Sequence, residues 1–238
     1  MKKEHFILTA ISIAIIVLAA SIYGLSRSPN ISTSPITSWN PQMKSPQIDP
    51  TSFVDISARV IGDVTIGSNV FIGPFASVRG DEGSPIYIGD GSNIQDGVII
   101  HGLKDPRVVV GGKNYSVYVG KEVSMAHGCI IHGPVFIDDK SFIGFGAVIS
   151  KATIGKNCVI LHNAVVTNNV KISDGRLVPA GSVIDDQAKA DALGPVPEDL
   201  KELPPDVVKV NKELANTYKR YGMLTQFNMF PPLFFNDK

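Results

Sequence analysis

Three of the five histidines in this 238-residue chain lie in two short and similar stretches. The sequence IIHG includes His101, and the sequence SMAHGCIIHG includes His127 and His132. Imidazole nitrogens bind divalent transition metals, and three of them that leave one coordination position open are typical of a hydrolytic or hydration site. These residues predict a catalytic metal centre if the fold brings them together.

A repeat of six residues predicts the fold that must position the histidines. From Val54 an aliphatic residue returns at every sixth position, and a small or apolar residue follows four places after each one. The rhythm resumes at Ile88 and Val119 and, after a one-residue slip, runs from Val148 to Val178. A period of six fits neither a helix nor an alternating strand. It predicts an all-β solenoid in which three hexads complete one triangular coil.

The repeat also predicts where two of the histidines point. His101 and His132 each follow the first residue of a hexad, so both side chains face outward. Residues 102–118 interrupt the rhythm, and their VVV, Gly-Gly and YSVYV sequences predict a protruding hairpin of 13 additional residues. When this insertion is subtracted from the separation of the two histidines, three hexads remain, which is one coil. Their backbones are then about 4.8 Å apart, and the imidazoles can share one ion.

His127 occupies the third position of its hexad and therefore points from a different face of the triangle. It is not expected to reach the ion of its own chain. A threefold trimer resolves this, because the His127 face of one subunit then meets the His101/His132 face of the next. His162 lies on the His127 face two coils further along, about 10 Å away by strand spacing, and we assign it no metal role.

Charged and amide side chains interrupt the apolar rhythm near these histidines, and such interruptions are where function is expected. The residues concerned are Arg79, Asp81, Glu82, Asn93, Gln95 and Asp96. A carboxylate and an amide beside a metal centre can hold a small substrate and orient protons. An ion pair between subunits, with Arg79 joined to Asp96 or to Asp81, is the structural alternative. For Glu82 a chemical and a structural role are equally balanced.

Composition excludes two classes of protein. The chain has 22 Lys and Arg residues against 22 Asp and Glu residues, whereas a nucleic-acid-binding domain usually has a net basic face. Nucleic acid is therefore not an expected partner. The two cysteines, Cys129 and Cys158, occupy small inward positions of different coils, which predicts core packing and excludes a disulfide-stapled fold.

The N-terminal region differs in kind from the repeat. Residues 6–25 are predominantly apolar, carry no charge and follow two lysines. A helix of this length is long enough to cross a bilayer. Residues 1–26 are therefore interpreted as an export signal or membrane anchor, with the remaining chain outside the cytoplasmic membrane, either anchored through residues 6–25 or secreted. Residues 27–50 are rich in Pro, Ser and Asn and predict an extended linker or arm, which Trp39 anchors to the folded body.

The remaining segments are assigned as follows. Residues 51–184 form the predicted hexapeptide-repeat domain. Residues 185–222 are a linker followed by a helix from Asp206, with Val207, Val210, Leu214 and Tyr218 at helical spacing for packing along the solenoid. Residues 223–238 form an aromatic tail that packs on a neighbouring subunit or on a membrane surface.

Residues 37–222 resemble the gamma-class carbonic anhydrases. The motifs that carry the resemblance are TSWNP before the repeat, SVRGDEGSPIYIGDGSNIQDGVIIHG, and SMAHGCIIHGP. The resemblance implies a left-handed parallel β-helix with a C-terminal helix packed alongside, assembled as a homotrimer. It also implies one divalent metal per subunit interface, held by His101 and His132 of one chain and His127 of the next.

The resemblance further implies the roles of the other residues. Glu82 and Gln95 would be catalytic, with Asn93 in support and Asn211 of the helix near the metal-bound solvent. Arg79, Asp81 and Asp96 would bind substrate or form the subunit contact. The implied reaction is reversible hydration of carbon dioxide to bicarbonate by a metal-bound hydroxide. Zn²⁺ and Fe²⁺ both suit three imidazoles, and Co²⁺ is also possible.

The sequence departs from the family pattern in the loop after His101. The family type has a longer acidic loop with a proton-shuttling glutamate, whereas GLKDPRVVVGG contains only Asp105 as a weak candidate, and Lys209 replaces a tyrosine on the helix. Two alternatives therefore stay open. One is a catalytically weak or inactive homologue that serves as a trimeric scaffold, and the other is a hexapeptide acyltransferase, which would not need three converging imidazoles.

Overall fold

The computed structural model describes residues 30–105 and 107–226. The predicted export segment and the aromatic tail from residue 227 onward lie outside the described residues. No helix within the described ranges combines the length and apolar character needed to cross a membrane.

The described chain is a parallel β-solenoid with three faces, which confirms the predicted fold class. Strands of the helix face, named for the helix that packs on it, are β3 (Phe53–Val54), β6 (Phe71–Ile72), β9 (Asn93–Ile94), β14 (Ser124–Met125), β16 (Phe142–Ile143), β18 (Val159–Ile160) and β21 (Leu177–Val178). The histidine face, named for His101 and His132, contains β1 (Ile31–Ser32), β4 (Arg59–Gly62), β7 (Ser77–Gly80), β10 (Ile99–His101), β19 (Val165–Val166), β22 (Val183–Ile184) and the first halves of β15 (Ile130–Ile137) and β17 (Val148–Ile154).

The third face is made of β2 (Gln47–Ile48), β5 (Val64–Ile66), β8 (Ile86–Ile88), β13 (Val117–Val119), β20 (Lys171–Ile172) and the second halves of β15 and β17. The predicted hairpin is confirmed as an antiparallel pair, β11 (Val108–Val110) and β12 (Lys113–Tyr115). It leaves the coil after β10, and the chain rejoins the solenoid at β13, which pairs with β8 below and β15 above.

The core follows the hexad rhythm because each inward aliphatic residue stacks on its counterpart in the next coil. Ile94, Met125 and Ile143 of the helix face are fully buried and lie in direct register. Cys129 and Cys158 are buried free thiols at the small inward positions, as predicted. Apolar burial on this scale is the main force that holds a solenoid together, since each coil contacts only its neighbours.

The one-residue slip in the six-residue repeat occurs one corner later than the sequence predicts. Ile149, rather than Val148, is the fully buried residue, and it pairs with Ile131. The register changes by one residue at the following corner, where Lys151 has a φ of 49°. Because two apolar residues stand side by side at 148 and 149, the sequence alone did not distinguish the inward one.

The N-terminal arm is more ordered than predicted. β1 and β2 lie within residues 27–50 and extend the solenoid by pairing with β4 and β5. Trp39 keeps 51% of its surface exposed. Asn40 ties the arm to the body more directly: it is buried, and its side-chain amide donates to the Ser34 hydroxyl and the backbone oxygen of Asp81. The exposed edge of a β-solenoid recruits any extended segment that can complete its hydrogen bonds.

Within the described residues, two α-helices and one 3₁₀ helix follow the last coil. The short helix α1 spans Gln187–Asp191 and is capped by Asp186, and Glu198–Leu200 forms the 3₁₀ turn. The long helix α2 spans Leu203–Gln226 and packs along β3, β6, β9 and β14, which confirms the helix alongside the solenoid. It begins before the predicted Asp206, because Pro204 and Pro205 fall in the first turn, where no backbone N–H is required.

The predicted contact face of α2 is correct only in part. Val207 packs against a buried apolar cluster, and the ring of Tyr218 stacks on Phe53 of the helix face with centroids 5.1 Å apart. Val208, Asn211 and Ala215 are the buried residues, whereas 56% of Val210 and 37% of Leu214 are exposed. The helix therefore has two apolar stripes at helical spacing. The stripe that contains the small Ala215 lies against the sheet, because a small side chain allows the helix backbone to approach it closely.

Candidate metal centre

The solenoid places His101 and His132 one directly above the other. Their Cα atoms are register partners between β10 and β15. This confirms that the two histidines are one coil apart once the hairpin insertion is subtracted. The ring centroids are 5.2 Å apart with an interplanar angle of 57°. Nδ1 of His101 lies 3.4 Å from Nε2 of His132, so one nitrogen of each ring faces the other.

This nitrogen pair fits a tetrahedral metal ion. Two ligands about 2.1 Å from an ion and at the tetrahedral angle are about 3.4 Å apart, which is the separation that the two rings already have. Burial lowers the pKa of His101 below its usual 6.5, which favours the neutral ring that can offer a lone pair. The donor set therefore suits the implied metal without a change of backbone.

Two carboxylates lie beside the same ring. Nε2 of His101 is 3.4 Å from Oε1 of Glu82 and 3.9 Å from Oδ1 of Asp81. Both acids lie in a loop that lengthens one coil. The register partner of Phe53 in the next coil is Phe71, and that of Phe71 is Asn93, so the second of these coils is the longer one. Its additional residues form the loop that carries Asp81 and Glu82. Nε2 of His101 and Oδ1 of Asp81 are buried without a hydrogen-bond partner among the described residues. Unpaired buried polar atoms are costly in a structural site and typical of a functional one.

Arg79 holds this loop from the coil below. It is the register partner of His101 on β7, and its Nε donates to Oδ2 of Asp81 at 3.0 Å. Of the two ion pairs that the sequence left open, the pair with Asp81 therefore forms within the chain. We define Arg79, Asp81, Glu82, His101 and His132 as the two-histidine cluster.

His127 lies elsewhere, at the corner between the helix face and the histidine face. Its Nδ1 is 3.8 Å from Oδ2 of Asp96, and about half of each side chain is exposed. Among the described residues of one chain, no three His, Cys, Asp or Glu side chains converge on a point that could hold a metal ion. The single chain thus presents two of the predicted ligands together and the third apart.

The predicted amides form a buried chain beneath His127. Nε2 of Gln95 donates to Oδ1 of Asn93 at 3.0 Å, and Nδ2 of Asn93 donates to the Ser124 hydroxyl at 2.8 Å. All three residues are buried. Each bond fixes the next, so the orientation of the Gln95 amide is set by the solenoid and not by solvent.

Hexapeptide-repeat solenoids occur in more than one protein family, and sequence similarity to known proteins shows to which of them this chain belongs. A carbonic anhydrase of Methanosarcina thermophila is 46% identical over 202 residues, which are 80% of this chain and 81% of that protein. The chain belongs to the gamma-class carbonic anhydrase family.

Other relatives of this gamma-class chain have different names. A carboxysome assembly protein, CcmM, of Nostoc is 40% identical over 78% of the chain, but the match spans only 33% of that longer protein. The carnitine operon protein CaiE of Escherichia coli is 38% identical over 57% of the chain and 58% of its own length. No protein-family model matches the sequence.

Solved structures agree on the fold. A hexapeptide transferase family protein of Anaplasma phagocytophilum covers 74% of this chain and 93% of its own, with a TM-score of 0.60 and 25% identity. A structure from Bacillus cereus covers 81% of this chain and 99% of its own with a TM-score of 0.63 at 22% identity, which supports the fold alone.

The structure also places Asn211, which the family resemblance implies, and Asp105, which lies in the loop that departs from the family pattern. Asn211 is buried on α2, and its Nδ2 donates to the backbone oxygen of Val207 at 2.8 Å. Asp105 lies at the base of the hairpin, where its carboxylate is 70% exposed and 3.8 Å from Nε of Arg107. Asn211 is thus buried and hydrogen-bonded within its own helix, whereas Asp105 faces solvent.

Several residues at this centre were not found by sequence reasoning. Asn40 supports the acidic loop from the arm, and Ser124 ends the amide chain. Phe145 stacks on His127, with ring centroids 5.4 Å apart. Phe145 follows His127 by three hexads, one coil in the repeat, so its position could have been found by the same count that paired His101 with His132.

A large cavity among the described residues is not part of this centre. It has a volume of about 900 Å³ and lies between the first turns of α2 and the corner column that includes Lys140 and Asn157. Its lining contains none of the predicted site residues. A small linear substrate such as carbon dioxide does not need a cavity of that size.

Proposed function

We propose that this protein catalyses the reversible hydration of carbon dioxide at a divalent metal ion shared by two subunits of a trimer. His101 and His132 of one subunit and His127 of the next would hold the ion. The observation that carries the proposal is the pair of imidazole nitrogens 3.4 Å apart, the spacing of two ligands on one tetrahedral ion, in a gamma-class chain. The donor set suits Zn²⁺, Fe²⁺ or Co²⁺.

Assembly as a trimer is supported by apolar side chains that a single chain leaves exposed. Ile99 lies next to the two-histidine cluster and is 42% exposed, and Phe75, at the corner of the helix and histidine faces, is 75% exposed. The second stripe of α2, with Val210 and Leu214, is also uncovered. Apolar patches of this kind mark protein interfaces, and a second subunit on them would bring its His127 toward the cluster.

In the proposed mechanism a divalent ion held by these histidines would supply Lewis acidity, which lowers the pKa of a water molecule toward neutral pH. Glu82 would accept a proton at its carboxylate and pass it to solvent. Its carboxylate lies beside His101 and is 37% exposed, so it contacts both the centre and solvent. Gln95, held by Asn93, and Asn211, held by the helix backbone, donate hydrogen bonds that orient the substrate. Arg79, the register partner of His101, would provide a positive charge for bicarbonate.

We further propose that the reaction takes place outside the cytoplasmic membrane. The support is the uncharged apolar stretch of residues 6–25 after two lysines, which is typical of an export signal or anchor. Fractionation of cells that express the full-length chain would test this, since the protein should be accessible to added protease in intact spheroplasts.

One observation favours a second candidate, a trimeric scaffold with weak or no activity. Asp105 is the only carboxylate of the loop and hairpin segment after His101, it is exposed, and it lies beside Arg107. A centre that releases protons slowly through Glu82 alone would turn over slowly, although its metal ligands are intact.

Replacing one ligand tests the proposal. His132→Ala in the full-length chain should abolish bound metal and reduce carbon dioxide hydration by at least about 100-fold, since two imidazoles do not retain the ion. Ser150→Ala is the matched control, because Ser150 is the register partner of His132 one coil further along the histidine face. Metal content by mass spectrometry and stopped-flow hydration would be measured for both.

Full hydration activity in His132→Ala would contradict the ligand assignment. A wild-type trimer with one metal per subunit and no hydration activity, even in concentrated imidazole buffer, would instead favour the scaffold. Activity that rises with buffer concentration would show that proton release limits turnover.

A further inference from the structure

Three aromatic rings form a column at the corner between the helix face and the histidine face. His127, Phe145 and His162 occupy successive coils. The ring centroids of His127 and Phe145 are 5.4 Å apart at 25°, and those of Phe145 and His162 are 4.4 Å apart at 7°. Phe145 is thus held between two imidazoles, and we call these three residues the ring column.

His162 forms the fixed end of the ring column. Its Nδ1 accepts a hydrogen bond of 3.1 Å from the backbone N–H of Phe145, which makes Nδ1 the unprotonated nitrogen and sets the plane of the ring. Gly144 permits this close approach. A Cβ atom at position 144 would lie 2.8 Å from Nδ1 of His162 and 2.7 Å from its backbone nitrogen.

His127 forms the free end of the ring column. Its side chain is about half exposed, and the only other contact of its ring among the described residues is with Asp96, at 3.8 Å. That distance is too long for a strong hydrogen bond. An exposed imidazole with one weak polar contact would sample several rotamers, and stacking on a ring that is itself fixed removes that freedom.

We propose that Phe145 and His162 are positioning residues for His127. The column holds the His127 imidazole from one side and Asp96 approaches Nδ1 from the other, so that Nε2 remains available to an ion held by the neighbouring subunit. This inference rests on the proposed function. Partners that orient a metal-ligating histidine typically change metal affinity by about 10- to 100-fold when they are removed.

The test uses the full-length chain and measures its affinity for Co²⁺ and the visible spectrum of the Co²⁺ form. Both quantities respond to the orientation of the ligands. Phe145→Leu keeps an apolar side chain but removes the aromatic face, and we expect about tenfold weaker Co²⁺ binding with an altered spectrum. Phe145→Tyr retains the face and should behave as wild type. The matched control is Phe136→Leu, since Phe136 is also stacked, 5.5 Å from Tyr118, but lies on the third face.

His162→Ala tests whether the two residues act together. It should weaken Co²⁺ binding less than Phe145→Leu does, and the double variant should be no weaker than Phe145→Leu alone. Non-additive effects are expected when one residue acts only through the other. Effects that add in the double variant would overturn the column as a unit.

Each remaining outcome separates the inference from the proposed function. Wild-type affinity and spectrum in a folded Phe145→Leu protein would overturn the positioning role alone. Loss of binding that disappears at high protein concentration would assign Phe145 to subunit association and also overturn it. A wild-type protein that binds no Co²⁺ would overturn both this inference and the metal centre itself.

Discussion

Cys129 shows how strongly a single position depends on its place in the coil. It is a free thiol at an inward position with no exposed surface, and burial raises its pKa from 9.0 to about 12. Cys158, further along the solenoid, is also buried, and burial raises its pKa as well. Thiolates are the reactive form of cysteine, so neither residue is expected to act as a nucleophile or a metal ligand in the folded protein.

Cys129 therefore makes the free energy of unfolding depend on pH once the pH approaches the pKa of this thiol in the unfolded chain. Between about pH 9 and pH 12 the unfolded thiol ionises and the folded thiol does not, so the free energy of unfolding falls as the pH rises. Relative to Cys129→Ala, the wild type should lose about 1.4 kcal/mol between pH 8 and pH 10. Urea denaturation of both proteins at the two pH values measures the difference, in which lysine and tyrosine contributions cancel.

A thiol reagent gives an independent check on the same residue. The native protein should leave Cys129 unmodified at pH 8, and the urea-unfolded protein should react at both cysteines. Rapid modification of Cys129 in the native state, or parallel pH dependences for wild type and Cys129→Ala, would contradict the burial on which the prediction rests.

At the scale of elements, the corners decide which coils can stack. Gly62 at the end of β4 has a φ of 84°, a left-handed conformation that favours glycine. A Cβ atom there would lie 2.7 Å from the carbonyl carbon of Gly80, the register partner of Gly62 in β7. The backbone of the next coil therefore occupies the space that any side chain would need.

Gly62→Ala should destabilise the protein through both effects. Overpacking against a backbone that cannot move adds to the cost of the left-handed conformation, and we expect about 2–4 kcal/mol in total. Gly181→Ala is the matched control, since Gly181 has a φ of 67° and a Cβ atom there would meet nothing within 4 Å among the described residues. It should cost only about 1 kcal/mol. Equal losses in urea denaturation would show that coil contact at Gly62 is unimportant.

At the scale of the whole molecule, the two parts of the metal centre belong to different subunits in our proposal. His127 lies at one corner of the solenoid and the two-histidine cluster lies on a face, and no contact between them occurs among the described residues. Two inactive variants should therefore complement each other. A His127→Ala chain retains an intact two-histidine cluster, and a His132→Ala chain retains an intact His127.

The two variants would be mixed in equal amounts, unfolded together and refolded. Metal binding and hydration should return to about one quarter of the wild-type level. This is the fraction of interfaces at which random assembly pairs an intact two-histidine cluster with an intact His127. Each variant refolded alone is the control and should remain inactive. A mixture with no more activity than the separate variants would show that the ion, if bound, is held within one chain.

The sequence alone determined the solenoid, the inward residues up to Ile143 and the stacking of His101 on His132. Those features follow from the six-residue period, because burial of one aliphatic residue per hexad leaves little freedom in register, and an insertion of known length can be subtracted. The family membership and the grouping of Arg79, Asp81 and Glu82 beside His101 follow from motifs in which neighbouring residues share one loop.

Only the tertiary structure decided the features that depend on what packs against a surface. Helical spacing placed Val210 and Leu214 on the contact face of α2, but the buried residues include the polar Asn211 and the small Ala215, which apolar spacing does not select. Adjacent apolar residues at 148 and 149 left the register open until the corner at Lys151 resolved it. The ring column of His127, Phe145 and His162 joins successive coils, and ring contact depends on side-chain orientation, which no periodicity in the sequence encodes.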